Sequence, residues 1–276
     1  MGLQVLIVGQ LRPELGVSGT HEGVPVADVR HPDAVQEAIS RLGGSEGSVL
    51  VLCSRAETFE IRRQLALVSV ALPRVQLLLE PVGGPPLSVA AAARLTNDTD
   101  GTRDPAHQLA TLDALRNRSW AAVWLPSVSK LSHPQPSLAQ HVRGWFGGPG
   151  FLAVHGASSR VIPCRDTSLP AVEGAPAQGV LMVAETAAPR WVVPSAASNF
   201  SPVERVDHSS WRDPRDAFGV NACVEMLVMP ADLSDPAQGS LEPPECPACG
   251  NHHSRAVCPY CRMVMPASSD LRGADA

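Results

Sequence analysis

Four cysteines stand close together in the segment CPACGNHHSRAVCPYC, as Cys246, Cys249, Cys258 and Cys261. Two residues separate the members of each pair, so a tight turn after the first cysteine brings both sulfurs to one side. Two such knuckles facing each other build a tetrahedral thiolate cage, which zinc fills at Zn–S distances of about 2.3 Å. Four thiolates leave no open coordination position. The zinc expected here, one per chain, is therefore structural: it folds a segment too short to bury a core of its own.

This stretch resembles the short zinc ribbons widespread in bacterial proteins, one of them in a small protein of the large ribosomal subunit. The matching residues are Cys246, Pro247, Cys249, Gly250, Cys258, Pro259 and Cys261. The resemblance covers residues 246–261 only and implies a metal fold without an activity. Such ribbons usually carry glycine after the last cysteine. Here Arg262 stands in its place, a departure that touches the second turn and no ligand. Three rival readings are weaker. CPYC alone resembles the redox motif of glutaredoxins, but too few residues follow it for that fold. His252 or His253 would have to displace a thiolate from a complete set. Two disulfides would need an oxidising compartment.

The other cysteines, Cys53, Cys164 and Cys223, sit singly in apolar runs such as VLVLCS and NACVEML, as small core residues do. This usage fits a reducing, cytoplasmic compartment. The start, MGLQVLIVGQ, lacks a basic leader and reads as a buried strand. No run approaches the ~18 consecutive apolar residues of a membrane helix. Net charge is −5, Lys130 is the sole lysine and no basic block occurs, so a large nucleic-acid footprint is not expected. Between 241 and 266 the charges of Glu242, Glu245, Arg255 and Arg262 cancel. A neutral ribbon favours a protein surface, or the protein's own body, over phosphate, with Tyr260 either an apolar contact or a cover for the ribbon's base.

The elements that must position these groups follow from periodicity. QVLIVG (4–9), VPVADV, SVLVLCS (48–54), VQLLLEPV (75–82), AAVWLP (121–126) and GFLAVHG (150–156) are compact apolar runs of strand length. Between them lie helical patterns over 32–42, 56–72, 86–95, from Pro105 through Leu115, and over 136–146. Apolar strands alternating with helices are expected to build a doubly wound, mainly parallel sheet. Beyond residue 156 come shorter strand candidates, RVIPC, GVLMVAE, RWVVP and NACVEMLVM, around a long irregular connection over 198–219. The expected fold class is thus α/β: a doubly wound, mainly parallel sheet, then a β-rich region and a small zinc ribbon. The expected domains are a Rossmann-like 1–156, a β-rich 157–230, a linker 231–245, the ribbon 246–266 and a disordered tail 267–276.

In open parallel sheets, ligands bind beyond the carboxyl ends of strands. Those ends offer Gln10, Arg12, Ser54, Arg55, Gly83 and Gly84 as candidates for a small anionic ligand, though each is also ordinary loop chemistry. No G-x-G-x-x-G, no phosphate loop, no G-x-S-x-G elbow and no HExxH pair occurs, so no catalytic residue is assigned. Trp211, with Arg212 and Arg215, marks either an exposed partner-binding loop or a buried tryptophan plug held by local ion pairs. Together these features predict a non-enzymatic cytoplasmic interaction or assembly component that docks a protein partner through ribbon and loop. The alternatives are a binder of a small nucleotide-like molecule at the strand ends, whether enzyme or sensor, and a nucleic-acid-binding ribbon protein.

Overall fold

The structure, a computed structural model, describes residues 3–44, 47–97, 105–156, 158–171, 173–176, 179–200, 204–234 and 244–265. Part of the expected linker (235–243) and the expected tail (267–276) lie outside them. The first sheet is built from β1 (Gln4–Gly9), β2 (Ser18–His21), β3 (Val24–Asp28), β4 (Ser48–Ser54) and β5 (Gln76–Val82), in the order β2-β3-β1-β4-β5. All neighbours are parallel except β2, which pairs antiparallel with β3 at one edge. Helices α1 (Pro32–Gly43) and α2 (Thr58–Ala71) supply two of the crossovers.

Side chains alternate across a strand, and in β1 and β4 both faces are apolar. Leu6, Val8, Val49 and Val51 pack with Val35, Ile39, Ile61 and Leu65 under α1 and α2. Val5, Ile7, Leu50 and Leu52 turn the other way, onto α3 (Pro86–Thr96) and α4 (Pro105–Arg118). A strand buried on both faces reads as a continuous apolar run, which is why the sequence places these strands well.

The second sheet comprises β6 (Trp120–Leu125), β7 (Phe151–His155), β8 (Arg160–Pro163), β9 (Gly179–Thr186), β10 (Glu204–His208) and β11 (Cys223–Pro230), in the order β10-β9-β11-β6-β7-β8. Only β9 and β10 run parallel; the remaining pairs are antiparallel. One face carries Ala121, Met182, Ala184, Leu227 and Met229 into the same cluster as α3 and α4. The other packs Leu181, Val183, Val224, Met226 and Val228 against α6 (Val192–Asn199). A short α5 (Leu138–Trp145), begun by a capping box from Ser137 and Gln140, joins β6 to β7.

The result is five layers with α3 and α4 in the middle. Pro86 through Ala93 are all buried, as a helix walled on both sides must be. The alanines at 90–93 keep it thin enough to lie between two sheets. Gln108 of α4 sews the layer together: its Oε1 accepts from Leu3 N–H at 2.7 Å, and its Nε2 donates to the Leu3 and Thr96 carbonyls at 3.0 and 2.6 Å. These bonds satisfy a buried amide that would otherwise cost roughly 1–3 kcal/mol.

Three expectations are corrected. The single doubly wound sheet is two sheets, because β6 and β7 pair antiparallel within the second one. They are covered on both faces, so their apolar runs mimic parallel central strands. RWVVP (190–194) is not a strand. It opens α6, whose Val192, Val193 and Ala196 pack with Phe200 at helical spacing, and Pro194 falls in the tolerated first turn. The stretch 198–219 is not irregular throughout, since it contains β10 and α7 (Pro214–Phe218). No helix among the described residues is long and apolar enough to cross a membrane.

Candidate functional site

Where β11 passes the start of α3, a carboxylate lies in the shared core. Glu225 is 1% exposed on a strand otherwise apolar, CVEMLVMP. Its Oε2 accepts from the Leu87 N–H at 2.7 Å, and the Ser210 hydroxyl lies 3.0 Å from its Oε1. The free N–H groups and dipole of a helix start favour an anion there. Burial nevertheless dominates and pushes the Glu225 carboxyl up to about 7, against the two hydrogen bonds that favour its charged form. One turn into α3, Ser88 Oγ is buried without a hydrogen-bond partner among the described residues. Gly84, at φ +94°, passes so near that a Cβ there would stand 2.7 Å from this oxygen.

The indole of Trp211 fills the space beside this carboxylate. It is fully buried, donates from Nε1 to the Pro86 carbonyl at 2.7 Å and belongs to the shared core cluster. A Cβ on Gly9, at the end of β1, would come within 2.7 Å of its ring, so only glycine lets β1 pass. Arg12 fixes the loop from outside: its N–H donates to the Trp211 carbonyl at 3.1 Å and its Nη1 to the Ser210 carbonyl at 3.3 Å. Next to the indole, buried Arg212 lies 3.4 Å from Glu57 Oε2 and donates to Gln10 Oε1 at 3.3 Å. The Gln10 N–H donates to Glu57 Oε1 at 3.0 Å. Burial raises the pKa of Glu57 despite the opposing pull of Arg212.

The four ribbon cysteines converge. All four sulfurs lie within 4.8 Å of one another, with Cys246 and Cys261 at 3.6 Å and Cys249 and Cys258 at 3.7 Å. A disulfide would need about 2.05 Å. A tetrahedron with bonds of about 2.3 Å has edges near 3.8 Å, so the set fits a metal ion. The two knuckles repeat one geometry: Gly250 N–H donates to the Cys246 carbonyl at 2.9 Å, and Arg262 N–H to the Cys258 carbonyl at 3.0 Å. Asn251 donates to Cys249 Sγ at 3.4 Å, which helps hold that thiol down to about 7. His253 is buried, and its Nδ1 accepts from the Arg255 N–H at 3.2 Å, outside the cage.

The ribbon is docked on the body. Arg255 donates to both Asp113 oxygens of α4, at 2.8 and 2.9 Å, and pairs with Glu80 of β5. Burial disfavours its charge, but the two carboxylates outweigh it and raise its pKa. Tyr260 packs against the shared core.

The strand-end candidates are thus scattered in role. Gln10 and Arg12 hold the 209–212 segment; Ser54 ends β4; Arg55 faces a cleft beside β5; Gly83 and Gly84 shape the approach to α3. Of the two readings of the loop around Trp211, the buried plug is the one found, with Arg212 buried beside it, and the partner-binding role assigned to these residues loses its exposed surface. Arg215 pairs with Asn221, away from both. Sequence reasoning missed Glu225, Ser88 and Ser210. Of these, Glu225 carried a signal, as the single charge within its own apolar run NACVEMLVM.

No family model and no curated protein matches the chain. Solved structures do match in fold. A DegV family protein from Eubacterium eligens, loaded with heptadecanoic acid, is 9% identical with a TM-score of 0.55, over 82% of this chain and 99% of that one. A DegV family protein from Corynebacterium glutamicum is 12% identical with a TM-score of 0.53, over 82% and 97%. A DegV family protein from Thermus thermophilus, described for its fatty acid binding, is 14% identical with a TM-score of 0.52, over 82% and 99%. Identities this low speak to fold alone. The likeness overturns the expectation of a Rossmann-like interaction scaffold docking a protein partner, because the ligands named for these neighbours are fatty acids. None of these three neighbours is described with a nucleotide or a nucleic acid, so the two alternative readings draw no support from them.

Proposed function

We propose that the protein binds a long-chain carboxylate, a fatty acid, in the layer between its two sheets. One arrangement carries the reading: a carboxylate seat at the start of α3, formed by Leu87 N–H and Ser210, against the apolar wall of the shared core. A fatty acid presents the same group at the end of an apolar chain. Its head would lie beside Glu225, where Ser88 Oγ offers a buried, unused hydroxyl. Burial keeps Glu225 close to protonation, so it can donate a hydrogen bond to a ligand carboxylate instead of repelling it. The tail would take the place of the Trp211 indole. Each methylene buried contributes ~0.8 kcal/mol, so a long chain outweighs the displacement of one side chain. The fold of the fatty-acid-loaded neighbours supports this assignment.

Mass spectrometry of an organic extract, followed by titration of the delipidated protein with oleate, tests the proposal. One fatty acid per chain is expected, with tighter oleate binding by Trp211→Ala, which clears the path. Absence of lipid from the extract together with no saturable oleate binding by either protein would end the proposal. We also assign the cysteine cage to one structural Zn²⁺ and the chain to a reducing, cytoplasmic compartment. The assignment is supported by the sulfur spacing and by unpaired Cys53, Cys164 and Cys223 in the core. Burial pushes the Cys53 and Cys164 thiols up to about 12 and 11, away from redox reactivity.

A further inference from the structure

Where the docked ribbon meets β5, at the edge of the first sheet, it closes an open cleft of about 420 Å³. Arginines from three separate parts of the fold line it: Arg55 and Arg62 around the start of α2, Arg116 of α4 and Arg262 of the ribbon. Glu80 is the only carboxylate in the lining, and it is already shared by Arg116, at 3.2 Å, and Arg255. Asp113, just outside, is shared by the same two arginines. Among the described residues no carboxylate pairs with Arg55, Arg62 or Arg262, in a chain whose net charge is −5. Gathering guanidinium groups without counter-charges is repulsive unless an anion completes the set.

The backbone of Arg262 gives an independent sign. Its φ is +65°, and the matching turn of the first knuckle uses Gly250 at +74°. Both residues make the same hydrogen bond back to the first cysteine of their pair. Glycine would serve the second turn at lower conformational cost, so the ribbon's own fold does not call for arginine. A side chain kept in a disfavoured conformation points to a role outside the turn.

We infer that this cleft is a binding site for a phosphoryl group carried by a small ligand, with Arg262 delivered by the zinc ribbon. Guanidinium groups take phosphoryl oxygens through paired hydrogen bonds, and Thr58 sets the start of α2 at the cleft, where a helix favours an anion. The cleft has the volume of a small-molecule site and is lined by none of the residues around Glu225. Undocking the ribbon would remove one wall and one charge together.

The test is calorimetric titration of the full-length, zinc-loaded protein with inorganic pyrophosphate. A second arm measures sedimentation with phosphatidylcholine vesicles containing or lacking phosphatidate. Saturable pyrophosphate binding is expected, weakened at least about tenfold in Arg262→Gly and Arg62→Ala. Arg262→Gly restores the easier turn residue, so its zinc content and melting temperature should not fall, and lost binding cannot be lost folding. Binding only to phosphatidate vesicles, abolished by Arg262→Gly, would keep the site and identify a lipid headgroup as its source. No binding in either arm, or wild-type binding by Arg262→Gly, overturns the inference.

Discussion

Glu225 is a carboxylate enclosed in an apolar core, and its cost has a sign that can be measured. Burial pushes its folded pKa up to about 7, whereas a glutamate in an unfolded chain titrates near ~4.3. Between those values the folded protein holds a proton that the unfolded chain has released. Stability therefore falls as pH rises from about 4 to about 7, and levels off above, by up to roughly 3 kcal/mol. Glu225→Gln keeps an acceptor for Leu87 N–H but cannot ionise. Urea unfolding between pH 5 and 8 should show the variant gaining on wild type as pH rises. His155, held down to about 4 by burial, contributes a slope of opposite sign common to both proteins, and it cancels in the comparison. Parallel profiles would mean that Glu225 does not titrate in this range. The residue scale was only partly legible in the sequence. A lone charge in NACVEMLVM and a doubled CxxC announce themselves by type and spacing. Trp211 does not: its flanking Arg212, Asp213, Arg215 and Asp216 look like a solvated loop, and only the approach of Gly9 and Pro86 from distant segments buries the indole.

At the scale of elements, the ribbon is short of core and depends on two unlike attachments. The thiolate cage closes its knuckles, and Arg255 with Tyr260 fixes it to α4 and β5. These should separate experimentally. Cys258→Ser removes a buried ligand, so the ribbon should lose its metal and unfold while the body keeps a cooperative transition. Arg255→Ala should retain one zinc per chain yet release the ribbon, at a cost of about 1–3 kcal/mol from the charge-assisted hydrogen bonds lost to buried Glu80 and half-buried Asp113, which keep Arg116 as their remaining partner. Limited proteolysis between body and ribbon, read beside zinc content, distinguishes the two. If Arg255→Ala is cleaved no faster than wild type, apolar contact and not the ion pairs holds the ribbon. Most elements of the body were visible beforehand, since β1, β4 and β5 read as apolar runs and α1 shows clean helical spacing. RWVVP was not, because paired valines favour a strand until Ala196 and Phe200 extend the pattern to a helix. The polar edge strand β2, SGTH, offers no pattern at all.

At the scale of the molecule, the arrangement of sheets lay beyond a one-dimensional reading. An antiparallel strand covered on both faces and a parallel one have the same hydrophobic signature, so AAVWL and FLAVH carried no mark of their sheet. What binds the sheets into one body is the middle layer. Leu50, Leu52 and Leu78 of the first sheet and Met182, Leu227 and Met229 of the second belong to one core cluster through α3, α4 and Trp211. Neither sheet can lose that layer without exposing the inner face of the other. The two should therefore unfold together, although they differ in strand order and direction. Leu87, 2% exposed at the start of α3, is the residue to probe. Leu87→Ala should cost about 2–5 kcal/mol by leaving a cavity between the sheets, with its Glu225 hydrogen bond kept because the backbone donates it. Hydrogen exchange followed along the chain reads the outcome. A cooperative body loses protection by the same free energy in β4 and in β11. If β11 alone is weakened while β4 stays protected, the sheets are separate folding units, and α3 belongs to one of them only.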